Sequence, residues 1–355
     1  MAVVLQHFSA TAQQWCSVSI PSLVPHGYVA VDFFFVLSGF IMSYTYLAGF
    51  ERDGPAAYRA FLAKRVARIV PLNLFALFLV LAAGTLSLTL SGTNPFFAVR
   101  RPLFDIAANV LMLQGLGVGS NLNGPSWSIS TEFAAYLLFP AFVFLIFKSR
   151  ALLWATVAVS VCALTCLAIQ QPRLVMTGEG GAPALIRCFA EFMLGMGAYR
   201  LSNTRYEPIL SRDAVTIGLS LLAAGFLLIR CDLPAVLLFP LVVLSFARNT
   251  GLAATLAGSA PIHFLGLISF SIYLLHNLTR PLGLQLVQAI APEPVGPVAA
   301  LAFAAIGSCS VIPIGWLAFV AIERPGRILI ANLLARQQIG AMASIRSPSQ
   351  KGAIG

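Results

Sequence analysis

Long apolar runs without a charged residue constrain this chain more than any other feature. Stretches such as 72–90, 134–147 and 152–169 approach or reach the ~20 apolar residues that cross a bilayer core. Lipid offers no water to pair a backbone amide, so each such run must close its hydrogen bonds within itself, as a helix. Composition agrees. Of 355 residues, 59% are hydrophobic and 10% charged, against roughly 25% charged in a soluble domain. The predicted fold class is all-α, a polytopic transmembrane helical bundle.

Apolar segments at 1–9, 28–48, 71–90, 133–147, 151–169, 185–200, 214–230, 234–247, 263–285 and 298–322 predict about ten spans, the first too short to cross alone. The run at 104–116 is shorter still and reads as re-entrant or interfacial. Basic residues concentrate on the cytoplasmic side of membrane proteins. With the N-terminus inside and ten spans following, only Arg100, Arg101, Arg173, Arg187, Arg230 and Arg280 fall outside or near outer helix ends. The other sixteen of the 22 Lys and Arg lie inside. This order predicts N- and C-termini facing the cytoplasm. It divides the chain into a membrane domain, 1–326, and a cytoplasmic tail, 327–355, whose polar, small-residue composition from about Arg336 predicts disorder.

The formal net charge of +10 does not indicate nucleic acid, because the basic residues are dispersed between apolar segments instead of sharing one face. The cysteines at 16, 162, 166, 188, 231 and 309 show no paired ligand spacing, so neither a metal site nor a disulfide framework is expected. Met1 leads straight into an apolar segment, and no cleavable signal peptide is expected.

Ionisable side chains inside apolar segments are costly and mark function by default. His7, Asp32, Glu132 and His276 stand in such positions. The span order sets His7, Asp32 and Glu132 toward the outer side, where a histidine oriented by a carboxylate would make a general base. Asp32 and Glu132 also read as helix N-terminal residues favoured by the dipole, and His276 as an interhelical hydrogen-bond donor. On the inner side, Arg65 and Arg68 share a helical face and suit bidentate phosphate contacts, although composition alone favours a positive-inside anchor at a helix start. Arg187 and Glu191, four apart, predict an intramembrane ion pair, and Gly195 and Gly197 permit close helix packing.

Read in order, these segments resemble the acyltransferase 3 family of integral membrane acyltransferases. Residues 32–40, DFFFVLSGF, resemble its D-x-F-F-x-L-S-G-F signature, which includes Ser38. Residues 65–71, RVARIVP, resemble the basic motif entering its third helix. Residues 127–132, WSISTE, carry Trp127, Ser128 and Glu132 in its W-S-x-x-x-E pattern. Residues 270–276, FSIYLLH, place Tyr273 and His276 in its [FY]-S-x-Y-L-x-H motif, and residues 322–325, IERP, match its closing E-x-P. His7 matches the histidine of its R-x10-H motif. The motif's arginine would lie five residues before Met1, so the chain is expected to continue upstream.

The resemblance implies transfer of an acyl group, acetyl being expected, from cytoplasmic acyl-CoA to a hydroxyl of an extracytoplasmic glycan such as exopolysaccharide or lipopolysaccharide. It implies acyl-CoA as co-substrate, with no tightly bound cofactor and no metal. Arg65 and Arg68 would hold the donor phosphates, while His7, with Asp32 and Glu132, would do the chemistry. Ser38, Trp127, Ser128, Tyr273 and His276 complete the candidate site. The implied location is the cytoplasmic (inner) membrane, with a glycan or lipid-linked glycan acceptor and membrane lipids as partners. The alternative class is a transporter or flippase of glycan or acyl intermediates. Transporters often carry internal repeats, and residues 32–40 have no counterpart in the second half.

Overall fold

The computed structural model describes residues 1–15, 26–94, 101–170, 180–202, 207–290 and 296–333. Among these residues the fold is entirely helical. In chain order the helices are α1 (Ala2–Trp15), α2 (Ala30–Asp53), α3 (Pro55–Ser91), α4 (Pro102–Val110), α5 (Ser126–Leu137), α6 (Phe139–Phe147) and α7 (Arg150–Gln170). There follow α8 (Ala182–Leu201), the single turn α9 (Glu207–Leu210), α10 (Asp213–Leu228), α11 (Asp232–Arg248), α12 (Leu252–Ala257), α13 (Ala260–Ile290) and α14 (Pro297–Ala318). A π-helical turn, Phe319–Glu323, continues α14, and the helical path runs on to Leu333. The expected disordered tail from Arg336 lies outside the described residues.

The membrane bundle is as expected, but the number of spans is lower than ten. Among the described residues five helices are long and apolar enough to cross, or six if the bent pair α5–α6 counts as one span. For α8, which has 20 residues, the difference is one of composition, since it carries the buried Arg187 and Glu191; for the others it is one of length or continuity. Helix α10 has 16 residues and α11 has 17, about 24–26 Å at 1.5 Å per residue, short of the ~30 Å hydrocarbon core. Helix α1 has 14 residues. The apolar run at 133–147 is broken by a 63° bend between α5 and α6. Hydropathy alone weighs apolar residues and cannot see such breaks.

Local sequence explains the sharpest reversal. Helix α2 ends at Gly54, whose φ of +52° an L side chain rarely adopts, and Pro55 opens α3 at the first helical position, where its missing N–H costs nothing. The chain therefore turns back at once and lays α3 alongside α2. Glycines also set the central crossing. A Cβ added to Gly39 on α2 would strike the Phe192 carbonyl, and one added to Gly195 on α8 would strike the Val36 carbonyl. Small residues permit this backbone-to-backbone approach. Around it packs an aromatic cluster of Phe50, Phe61, Tyr136, Phe139 and Phe192.

The run at 104–116 does not cross. It forms α4 and a 3-10 turn, Gln114–Leu116, and the loop behind it dips into the bundle. Asp105 accepts the Ser120 backbone N–H at 2.9 Å, and Asn109 donates to the Ser120 carbonyl at 2.7 Å. Asn123 donates to the Leu274 carbonyl of α13 at 3.1 Å. Buried side chains thus satisfy a non-helical backbone, the condition under which such a loop survives at membrane depth. As a result α5 begins inside the bundle, not at its surface.

Candidate active site

A cavity of about 250 Å³ opens between α2, α3, α5 and α13. Six residues singled out from the sequence line it: Ser38, Arg65, Arg68, Ser128, Glu132 and Tyr273. Four separate motifs therefore meet in one space. The separation expected between an inner basic pair and an outer Glu132 is not what the structure shows. Glu132 stands across the same cavity from Arg65, because α5 starts deep in the bundle.

The polar wall is tied together. Tyr136, one helical turn after Glu132, donates its hydroxyl to Glu132 Oε1 at 2.6 Å and lies 3.0 Å from Ser38 Oγ. Arg65 donates to the Tyr46 hydroxyl at 2.8 Å, and its guanidinium lies over the Tyr46 and Tyr136 rings. Its Nε is buried without a partner. Arg68 pairs with Glu323 at 2.6 Å. Ser128 Oγ and the Tyr273 hydroxyl are 2.8 Å apart. Tyr46 and Tyr136 carry no sign in the sequence beyond their helical spacing from motif residues; Glu323 was visible in the closing motif.

Asp32 and Glu132 do not accompany His7. Asp32 is fully buried and engaged by Arg187 through two hydrogen bonds of 2.5 Å. The pair expected within α8 is also present but looser, with Arg187 Nε 3.7 Å from Glu191. Trp127 lies under the Arg187 guanidinium at 5.8 Å and edge-on to Phe35, so it walls the ion pair and does not line the cavity. The reason is competition: a guanidinium inside lipid-facing helices must find carboxylates, and α8 brings one directly against the start of α2.

His7 meets His276 instead. The two rings are edge-to-face with centroids 5.0 Å apart. His276 Nδ1 lies 2.6 Å from the Tyr273 carbonyl. A carbonyl only accepts, so Nδ1 carries the hydrogen and Nε2 presents a lone pair. That Nε2, like His7 Nδ1, is buried with no hydrogen-bond partner. Tyr273 connects this pair to the cavity, with its carbonyl on His276 and its hydroxyl on Ser128. One turn further along α13, Arg280 donates to Thr11 at 3.3 Å and to Asn277 at 3.2 Å, fixing α1 against α13.

Among the described residues no group of three or more His, Cys, Asp or Glu is arranged to hold a metal ion. The polar groups present are cations for an anionic ligand, a carboxylate, hydroxyls, and unpaired imidazole nitrogens able to take a proton. Held inside an apolar bundle, they suit group transfer at membrane depth. The chain belongs to the acyltransferase 3 family, whose acyltransferase domain matches residues 1–320. Acyltransferase MdmB of Streptomyces mycarofaciens is 29% identical over 302 residues, covering 78% of this chain and 74% of that protein. A shorter stretch of 172 residues is 27% identical to a Bacillus subtilis (strain 168) protein named "Putative peptidoglycan O-acetyltransferase YrhL". That match covers 45% of this chain and 26% of the relative. No solved structure matches the chain. The protein is a membrane acyltransferase.

Proposed function

We propose that the protein moves an acyl group, acetyl in the simplest case, from acyl-CoA to a hydroxyl of an extracytoplasmic glycan. The observation that carries this reading is the convergence of Arg65, Arg68, Glu132 and two serine hydroxyls on one cavity, next to buried His276 and half-buried His7, each with an unpartnered ring nitrogen. The donor phosphates bind Arg65 and Arg68 from the cytoplasmic side, where arginine makes strong charge-assisted contacts. The pantetheine arm carries the thioester past Ser38 and Glu132 toward Tyr273 and the histidines.

His7 takes the proton of the acceptor hydroxyl as its oxygen attacks the thioester carbonyl. The carbon–sulfur bond breaks, an ester forms, and the proton returns to the departing thiolate, so acyl-CoA and alcohol become ester and free CoA. His276, whose Nε2 lone pair lies beside His7, is the second candidate base. Glu132 holds Tyr136 and, with Ser38, shapes the passage; Asp32, through Arg187 and Trp127, acts from behind the cavity lining. The family and the peptidoglycan O-acetyltransferase name of one relative support O-acylation of a cell-envelope glycan. The cytoplasmic membrane, with both termini inside, is the location that gives the enzyme donor on one side and acceptor on the other.

The test is mass spectrometry of surface glycans from cells with and without the protein, paired with transfer of label from acetyl-CoA by the purified enzyme. Loss of an acyl increment from the glycan, together with label transfer, is expected. Unchanged glycans and no label transfer would sink the reading.

A further inference from the structure

We propose that Arg327 is a third cation of the donor site and that Glu323 is a positioning residue holding Arg68 and Arg327 at its cytoplasmic rim; this rests on the acyl-CoA reading above. Glu323 ends the π-helical turn after α14 and is fully buried. Its Oε1 pairs with Arg68 at 2.6 Å and with Arg327 at 3.8 Å, while Oε2 accepts a hydrogen bond from Ser271 at 2.8 Å. A buried carboxylate with two guanidiniums on one oxygen leaves the cluster cationic. With Arg65 beside it and Glu132 across the cavity, three arginines answer to two carboxylates, which leaves the site with an excess of positive charge.

The backbone explains why Arg327 reaches this place. A Cβ added to Gly326 would collide with the Pro71 ring of α3, so glycine there lets the end of the α14 path press directly on α3. Pro71 stands three residues beyond Arg68, which brings Arg327 over the same end of the cavity, within electrostatic reach of Arg68, Arg65 and Tyr46. The Arg327 side chain is 43% exposed and that of Arg68 28%. Both can therefore meet a ligand arriving from water, whereas Glu323 cannot. Coenzyme A carries three phosphate groups, more negative charge than Arg65 and Arg68 can match alone. Glu323 closes the π-helical turn at 319–323 and meets Arg68 of α3 there; single π-turns inside α-helices are frequent at functional sites.

The experiment uses the purified full chain in nanodiscs and measures KM and kcat for acetyl-CoA and for acetyl-pantetheine, which lacks the nucleotide and its phosphates. Parent, R65A, R327A, R327K and E323Q are compared. R327A is expected to lower the preference for acetyl-CoA over acetyl-pantetheine about tenfold through KM, as loss of one charge-assisted contact would, with R327K recovering part of it. E323Q should raise KM for acetyl-CoA in the same way with kcat held, because Arg68 and Arg327 lose their common anchor. Since Arg327 is half-exposed, R327A keeps the proposal testable even if E323Q fails to fold. A parent-like preference in R327A, with R65A impaired, would overturn this proposal and leave the donor reading intact. A parent enzyme that uses acetyl-CoA no better than acetyl-pantetheine would overturn both.

Discussion

Asp32 on α2 and Arg187 on α8 meet in a two-pronged ion pair, both N–O distances 2.5 Å, with neither side chain more than 3% exposed. This pair joins the two helices whose glycines already cross at Gly39 and Gly195. Removing one partner strands a buried charge, which costs about 3–5 kcal/mol. D32N and R187Q should each lower the melting temperature of detergent-solubilised protein sharply. The double variant should melt above either single one. A double variant less stable than both would show that the pair is not the coupled unit described.

The cavity arginines and the histidine should separate in their effects. On the proposed donor assignment, replacing Arg65 and Arg68 with Ala removes two phosphate contacts, worth roughly 1.5–3 kcal/mol each, so acetyl-CoA affinity measured by calorimetry should fall while the fold persists.

Replacing His7 with Ala should lower the transfer rate about 10²–10⁴-fold, as loss of a general base does, and leave acetyl-CoA affinity close to that of the parent. His7 does not line the cavity that holds the arginines, which is why the two effects should divide. Near-parent transfer by H7A would move the base to His276, whose Nε2 is also unpartnered.

Gly39 and Gly195 should be intolerant of a single added methyl group. In each case the Cβ meets a backbone carbonyl of the partner helix, which cannot step aside as a side chain would. Overpacking costs about 1–3 kcal/mol. G39A and G195A should therefore destabilise the bundle in thermal unfolding, whereas G218A on α10, where an added Cβ meets nothing within 4 Å, should not.

The ten-span order read from the sequence also predicts orientation: it would set sixteen of 22 Lys and Arg on the cytoplasmic side, so a reporter fused to the C-terminus is expected to report a cytoplasmic location. Activity only outside would reverse the positive-inside assignment.

By itself the sequence determined the solvent and the chemistry. Uncharged apolar runs require lipid and helices, because no other regular structure closes its own backbone hydrogen bonds there except a barrel. Glu132 and His276 stood out because charge is expensive in such runs, and Arg65 and Arg68 because they share one helical face. Gly195 was legible as a packing residue because small side chains let helices approach closely. What only the tertiary structure decided is which of these residues meet. Partner choice depends on three-dimensional register. Arg187 on a distant segment claims Asp32, His276 claims His7, and a re-entrant loop lowers the start of α5 until Glu132 faces Arg65 across one cavity. Span number was undecided for a related reason. Hydropathy records how apolar a segment is, but the 63° bend between α5 and α6 and the short lengths of α10 and α11 are consequences of packing, which no one-dimensional pattern contains.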